Sequence, residues 1–414
     1  MATFTLIFCI TLAAGTGLQL WLSWRQGRHV AAHQHQVPQA FAEHITLDQH
    51  QKAARYTLAK LVSERWEILL GAGLLLVWTL GGLLQSLDQF WAGITSSALW
   101  QGTGLILSVT LIGSLLALPL AIWQTFGTET TFGFNNSTPL QFAKDQALEL
   151  VLSLVIGLPL ILLILSLMTS AGSLWWLWAW FGMMGFMLLI NWAFPIWIAP
   201  LFNTFKPLQA ESLRTRLETL LARCGFASDG IFVMDGSKRS AHGNAYFTGF
   251  GKHKRIVFYD TLLDGLSEDQ VEAVLAHELG HFKCHHIRKR LVAMALFSLA
   301  GLALLGWLAD QTWFYTGLGV DQASPALALI LFFLMMPVFT IFFSPLMSRS
   351  SRKHEFEADQ FAAEQTNAQA LIDGLVAMYR DNASTLTPDP WYSAFHHSHP
   401  PAPVRIAHLQ NLAT

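Results

Sequence analysis

The chain of 414 residues is 53% hydrophobic and only 13% charged, and its formal net charge is -2 at pH 7. Soluble domains carry about 25% charged residues, so this composition excludes an ordinary soluble domain and indicates a protein that crosses a membrane several times. The near-neutral charge argues against nucleic acid as a partner. The three cysteines are odd in number and far apart, so they predict no disulfide framework.

Seven apolar stretches approach or exceed the roughly 20 residues that an α-helix needs to cross a bilayer. The first has neither the basic start nor the small-residue cleavage site of a secretory signal, so we interpret it as a membrane helix. The sequence therefore predicts seven transmembrane helices, at residues 3–24, 68–86, 101–123, 149–169, 174–200, 291–309 and 324–346.

Basic residues set the predicted orientation. All 25 Lys and Arg residues fall in segments that the predicted spans place on one side, including residues 25–67 and the stretch from Lys206 to Arg290. The positive-inside rule places these segments in the cytoplasm and the N-terminus outside.

The non-membrane part of the sequence has mixed α and β patterns. Residues 211–221 have helical spacing, and Ile231–Met234 is a short strand candidate. Residues 243–250 and 255–263 predict a hairpin with turn residues Gly249, Gly251 and Lys252. We therefore expect an N-terminal membrane region of five helices with a basic loop at 25–67, a cytoplasmic insert, two further membrane helices and a C-terminal cytoplasmic segment, at residues 1–201, 202–290, 291–346 and 347–414.

The last predicted helix of the insert contains the motif His-Glu-Leu-Gly-His at residues 277–281. Ser267 and Gln270 form a capping-box pattern where this helix begins. On a helix, the two histidines lie one turn apart on one face and can hold a zinc ion, with Glu278 beside them as a general base. A buried helix with two hydrogen-bonded histidines is the alternative. Cys284 would lie on a different helical face and is interpreted as a bystander.

A catalytic zinc needs a third protein ligand and an open position for water. The strongest candidate is Glu355, in the polar segment after the seventh span. Asp359 lies one turn further, where its carboxylate could hydrogen-bond a ligand imidazole and fix the tautomer. Glu357 is the nearest competing carboxylate, and a solvated acidic face is the alternative. His285 continues the one-turn spacing from His281, but three ligands in a row on one helix give poor tetrahedral geometry.

The order and spacing of several segments resemble the type I CAAX prenyl endopeptidases. These are integral-membrane zinc metallopeptidases of the gluzincin type that remove the last three residues of prenylated proteins. The resemblance runs nearly end to end, and it rests on residues 37–57, Asn244-Ala245-Tyr246-Phe247, 254–262, 277–281, 348–359 and 398–405.

The resemblance implies an all-α polytopic membrane protein, in which seven helices enclose a chamber and a cytoplasmic α+β zinc-metallopeptidase domain closes it. It implies His277, His281 and Glu355 as ligands of one zinc ion per chain. It also implies that Glu278 is the base that activates the zinc-bound water, which zinc makes acidic near neutral pH.

The resemblance further implies how substrate binds. Asn244, Ala245 and Tyr246 would belong to an edge strand that pairs with the substrate backbone. His399 and Arg405 would contact the tetrahedral oxyanion or the leaving group, where preorganised donors stabilise the transition state most. From the residues alone, a solvated His-rich loop and an arginine that caps the last helix are the alternatives.

We therefore expect a monomeric zinc endopeptidase in the lipid bilayer that cleaves near the C-terminus of prenylated or other membrane-associated peptides. A quality-control protease without prenyl specificity is the alternative. A transporter should carry ionisable residues within its spans, and a non-catalytic scaffold should have lost Glu278 or a ligand. The chain ends without an ER-retrieval signal, so we expect a bacterial inner membrane rather than the ER membrane, with the active site on the cytoplasmic side.

Overall fold

The computed structural model describes residues 2–250 and 253–413. The described residues form a mostly helical protein with one small sheet. The helices are α1 Ala2–His33, α2 Leu47–Trp78, α3 Leu83–Ile94, α4 Ala98–Ile122, α5 Pro139–Ser170, α6 Trp175–Ala193, α7 Ala199–Phe202, α8 Glu211–Arg223, α9 Asp260–Gly265, α10 Glu268–Lys283, α11 His286–Leu308, α12 Thr312–Thr316, α13 Pro325–Thr340, α14 Ser344–Gln365, α15 Ala368–Asp381, α16 Pro390–His396 and α17 Ala402–Ala413.

The described residues contain 6 helices that are long and apolar enough to cross a membrane, or 7 if one bent pair counts as a single span. That pair is α2 and α3, which meet at an angle of 50°. The predicted span 68–86 is therefore wrong in detail, because it runs across this break. Gly82 has a φ of 78° at this break, a left-handed conformation that residues with a Cβ rarely adopt. A hydropathy profile contains no information about backbone conformation, so it does not reveal the break.

The seventh predicted span continues beyond its apolar part. α13 is followed by the short 3-10 turn Ile341–Phe343 and then by α14, which carries the polar residues after 347. The membrane helix thus leads directly into the segment that contains Glu355.

The sheet has the strand order β1-β2-β4-β3, with strands β1 Phe205–Pro207, β2 Ile231–Met234, β3 Ala245–Phe250 and β4 His253–Tyr259. The predicted strand at β2 is confirmed. β3 and β4 are antiparallel, but the second predicted hairpin arm, 255–263, ends early because α9 begins at Asp260. Of the predicted turn residues, Gly249 lies in β3, and Gly251 and Lys252 lie outside the described residues. β3 is an edge strand of this sheet.

The core of the non-membrane part joins the sheet to the helices around it. Buried side chains of α8, α10, α15 and α17 pack with those of β2 and β4. α10 and α14 are in close contact at Gly280, where an added Cβ would lie 2.8 Å from Cα and 3.0 Å from the carbonyl oxygen of Ala358. The absence of a side chain at Gly280 therefore lets residues 277–281 lie beside Glu355.

We expect Gly280→Ala to force α10 and α14 apart, to destabilise the protein by about 1–3 kcal/mol and to weaken metal binding. Gly113→Ala in α4 is the matched control, because nothing lies within 4 Å of a Cβ added there. Thermal unfolding and zinc content of the purified variants check this result. If both variants behaved alike, the close packing at Gly280 would not be what assembles the site.

Candidate metal centre

The helix that carries the His-Glu-Leu-Gly-His motif begins where the sequence predicts. The backbone N–H of Gln270 donates to the Ser267 hydroxyl, and the backbone N–H of Ser267 donates to the Gln270 side-chain oxygen at 2.9 Å. These two hydrogen bonds complete the capping box. Because α10 runs unbroken from Glu268 to Lys283, His277 and His281 lie one turn apart on it.

Three side chains from two helices meet at one point. His277 and His281 of α10 and Glu355 of α14 each offer a ligand atom, and these atoms lie within 4.8 Å of one another. Nε2 of His277 is 3.5 Å from Oε2 of Glu355, and Nε2 of His281 is 3.3 Å from Oε1. The sequence-based candidates for the ligand set are therefore brought together.

Two observations show that these three residues suit a zinc ion. Two imidazole nitrogens and one carboxylate oxygen are the donor set of a catalytic zinc site with three protein ligands. Oε2 of Glu355 is buried and has no hydrogen-bond partner among the described residues. A buried carboxylate oxygen that accepts no hydrogen bond is costly, and a cation between the three side chains would satisfy it.

Asp359 and Arg405 lie behind His277. Oδ1 of Asp359 is 2.9 Å from Nδ1 of His277, and Nε of Arg405 donates to Oδ2 of Asp359 at 2.8 Å. A second hydrogen bond joins the Arg405 Nη2 to Oδ1 of Asp359. The contact that the spacing of Asp359 suggests is thus present, whereas the sequence pattern does not indicate the pairing of Arg405 with Asp359.

The charges around His277 oppose one another. Burial and Arg405 lower the pKa of His277, but the hydrogen bonds and charges of Asp359 and Glu355 outweigh them, so its pKa is raised overall. A proton therefore competes with a metal ion for this imidazole. Burial likewise lowers the pKa of Arg405, but hydrogen bonds to Asp359 raise it overall, so the guanidinium stays charged.

His399 lies at the open side of the cluster. Its Nε2 is 3.4 Å from Oε1 of Glu355, and its side chain is 64% exposed. The end of α16, which precedes His399, is held by Arg352, whose Nη1 donates to the carbonyl groups of Ser393, Ala394 and His397. Arg405, in contrast to His399, is buried, and its Nη1 is 3.6 Å from Oε2 of Glu355.

Glu278 differs from the other carboxylates of the site. It is half-buried and makes no hydrogen bond or ion pair with any residue that the structure describes. A carboxylate without a competing partner is chemically available to accept a proton.

The competing candidates lie elsewhere. His285 follows the end of α10 with a φ of 59° and is exposed, so it does not join the three-residue cluster. Glu357 contacts His286 rather than the candidate ligands, with 2.8 Å between its Oε2 and Nε2 of the ring. Cys284, His286 and Glu357 form a second group whose potential ligand atoms lie within 4.8 Å of one another.

The predicted substrate-binding residues lie at the start of the edge strand. Ala245 and Tyr246 are the first residues of β3, whereas Asn244 precedes the strand, which corrects its placement within it. The carbonyl oxygen of Asn244 still accepts a hydrogen bond from the Tyr259 N–H at 2.9 Å. Tyr246 lines a cavity of about 450 Å³ that Glu149 of α5, Phe194 after α6 and Ala199 of α7 also line.

A polar cluster that the sequence does not predict lies beside this strand. The Tyr56 hydroxyl donates to Glu129 at 2.6 Å, and His242 lies 3.2 Å from Glu129 and 3.2 Å from the Asn382 side-chain oxygen. The cluster links His242, two residues before Asn244, to α2 and to the segment after α4. The sequence carried only a weak signal, because the four residues lie far apart along the chain.

A membrane-spanning protein with a His-Glu-x-x-His helix and a carboxylate from a second helix is a metallopeptidase by fold and by site. Two family models match the chain: "CAAX prenyl protease N-terminal, five membrane helices" at residues 26–204 and "Peptidase family M48" at residues 207–413. The chain belongs to peptidase family M48, in the group of the type I CAAX prenyl proteases.

Relatives of known name lie in the same family. A CAAX prenyl protease 1 homolog of Oryza sativa is 36% identical over 296 residues, which is 71% of this chain and 69% of that protein. The CAAX prenyl protease 1 of Saccharomyces cerevisiae is 35% identical and covers 72% of this chain and 69% of its own length. The crystal structure of S. mikatae Ste24p matches with a TM-score of 0.92 at 28% identity, over 98% of this chain and 99% of that one.

Proposed function

We propose that this protein is a zinc-dependent membrane endopeptidase that cleaves near the C-terminus of prenylated substrates of the CAAX type. One observation carries the proposal: His277, His281 and Glu355 converge within 4.8 Å in a chain of the M48 family. The substrate class is supported by the relatives, which are CAAX prenyl proteases by name. A protease of membrane peptides without prenyl specificity is the alternative, because the metal site alone does not select a prenyl group.

The described side chains have distinct proposed roles in peptide hydrolysis. A zinc ion held by His277, His281 and Glu355 would polarise the scissile carbonyl group and activate water at neutral pH. Glu278 takes the proton of the attacking water and delivers it to the departing amine. Asp359 keeps the ring hydrogen of His277 on Nδ1, which leaves Nε2 free for the metal.

His399 and Arg405 are proposed to stabilise the tetrahedral transition state. His399 is the more exposed of the two and lies on the open side of Glu355, where a substrate carbonyl group can reach it. Arg405 is anchored by Asp359, so its guanidinium is fixed before substrate arrives. A preorganised cation at this position requires little rearrangement as negative charge develops.

The edge strand β3 is the proposed platform for the substrate backbone. The Asn244 carbonyl group accepts a hydrogen bond from Tyr259 of β4. Along an antiparallel strand, successive residues direct their backbone N–H and C=O groups alternately toward and away from the neighbouring strand. The N–H and C=O of Ala245 therefore point away from β4. The Ala245 N–H is occupied by the Asn244 side-chain oxygen at 2.8 Å, which a substrate carbonyl group can replace.

Ala245→Pro tests this platform. Proline removes the outward N–H but no hydrogen bond to β4, so we expect zinc content and folding to persist while KM rises about tenfold, the cost of one or two hydrogen bonds. Peptide cleavage kinetics measure the effect. Tyr246→Pro is the contrasting variant, because Tyr246 is paired inward with Val257 and proline there should destabilise the sheet. Unchanged KM in Ala245→Pro would refute the pairing role.

The proposal also covers location and organisation. The basic segments favour an active site on the cytoplasmic side. The proposal further includes a monomer in a bacterial inner membrane and the division into regions 1–201, 202–290, 291–346 and 347–414. Labelling of Cys284 with an impermeant thiol reagent from each side of the membrane tests the orientation. A label that enters only from the outer side would contradict it.

The substrate class is tested with two peptides of one sequence, one farnesylated at the CAAX cysteine and one not, incubated with the detergent-purified protein. Mass spectrometry locates the cut. We expect cleavage after the prenylated cysteine and little cleavage of the unmodified peptide. Equal cleavage of both peptides would favour the alternative without prenyl specificity.

A further inference from the structure

The second ring nitrogen of the candidate ligand His281 has a partner of its own. Nε2 of His281 faces Glu355, so this nitrogen is the one directed toward the metal position. Nδ1 of His281 lies 3.0 Å from Nδ1 of His286, a histidine that is only 5% exposed. His286 in turn places its Nε2 at 2.8 Å from Oε2 of Glu357.

The hydrogen positions of this chain follow from the chemistry of imidazole. If Nε2 of His281 binds a metal, the ring hydrogen lies on Nδ1, and Nδ1 of His286 must accept it. A neutral His286 then carries its own hydrogen on Nε2 and donates it to the carboxylate of Glu357. With both rings neutral, this arrangement makes both the His281–His286 and the His286–Glu357 contacts hydrogen bonds. Each donor then lies on the side of the metal position, and the last acceptor is the Glu357 carboxylate.

Local backbone geometry and packing hold the chain in place. α10 ends at Lys283, and His285 turns the backbone through the left-handed region before α11 begins at His286. The ring of His354, in α14, stacks on His286 at 4.1 Å and an interplanar angle of 16°. The His286 ring therefore cannot rotate freely away from His281.

Glu357, the last member of this series of hydrogen bonds, has two lysine ammonium groups beside it. Glu357 is 3.9 Å from the ammonium group of Lys289 and 3.7 Å from that of Lys353. These cations favour the ionised carboxylate, which is the form that accepts a hydrogen bond from His286. They also disfavour a further cation at this point.

We propose that His286 and Glu357 are positioning residues for the zinc ligand His281. Together they form an outer relay that fixes the tautomer and the ring plane of His281, as Asp359 does for His277. The inference rests on the proposed zinc site and extends it to residues of α11 and α14. Outer partners of ligand histidines typically contribute 10–100-fold to metal affinity, so the relay has a measurable consequence.

The competing interpretation is a second metal site, because Cys284 lies near the same two side chains. An ion there would bind Nε2 of His286 and displace the hydrogen that Glu357 accepts. The two lysines beside Glu357 oppose that ion, and they leave the hydrogen-bonded relay as the better explanation of the geometry.

The test is zinc affinity, measured by competition with a chromogenic chelator on the full chain in detergent. We expect His286→Ala and Glu357→Ala to raise the zinc dissociation constant 10–100-fold. Glu357→Gln keeps an acceptor oxygen and should stay within about threefold of the native chain. The control Glu364→Ala, exposed on the same helix, should change nothing. Because the Glu357 side chain is 34% exposed, its replacement should leave the unfolding temperature of the metal-free protein unchanged.

Three results would overturn the relay. Unchanged zinc affinity in both alanine variants would mean that His281 needs no outer partner. Two zinc ions per native chain that fall to one in Cys284→Ser would show that the cluster is itself a metal site. A native chain that binds no zinc would refute the proposed function, and the relay with it. The first two results, in contrast, would refute the relay while the zinc site stands.

Discussion

Replacing Glu278 with Gln is expected to lower kcat for peptide cleavage by about 10²–10⁴-fold while one zinc ion per chain is retained. The amide has nearly the shape of the carboxylate but cannot accept a proton from water. Because Glu278 has no hydrogen-bond partner among the described residues, the exchange should not disturb the fold. Cleavage kinetics and zinc analysis on one preparation measure both effects.

The matched control is Glu268→Gln, an exposed residue in the first turn of the same helix. It should cleave at the native rate. If Glu278→Gln also cleaved at the native rate with zinc bound, another group would be the base. If it lost zinc, Glu278 would hold the site together instead.

The second large effect is expected for Glu355→Ala. This change removes a proposed ligand, so zinc affinity should fall by more than the roughly 100-fold that loss of an outer partner costs, and cleavage should fall with it. It also leaves Arg405 beside a smaller negative charge, so a lower unfolding temperature is expected as well. Glu364→Ala, on the same helix but exposed, is the control.

The zinc and cleavage measurements on Glu355→Ala should agree. Added zinc should restore part of the activity, because the two histidines remain. Full zinc stoichiometry at native affinity in Glu355→Ala would contradict the ligand assignment, and His285 or another residue would have to supply the third donor.

Much of the site was predictable because it depends on helical periodicity. The capping box defines where α10 begins, and the one-turn spacing from there aligns His277 with His281. The same spacing in α14 aligns Glu355 with Asp359. The apolar stretches likewise predict the membrane helices, since length and hydropathy are local properties.

The remainder depends on backbone breaks and distant contacts, which local patterns do not contain. Gly82 breaks the second span by its positive φ, although the surrounding residues are apolar. His286 lies five positions after His281, a spacing that a continuous helix would place off the zinc face; the left-handed turn at His285 restores the contact. Arg405 meets Asp359 across 46 residues, and His242 depends on a similar long-range fold.

The most direct test of the account is a zinc titration of the metal-stripped protein, with cleavage of a farnesylated CAAX peptide as the readout. We predict no cleavage without metal and activity that rises in proportion to added zinc until one ion is bound per chain. The same titration of His277→Ala should give no activity at these concentrations. Cleavage by the metal-stripped native chain, or activity that does not follow zinc occupancy, would contradict the assignment of this centre as the catalytic site.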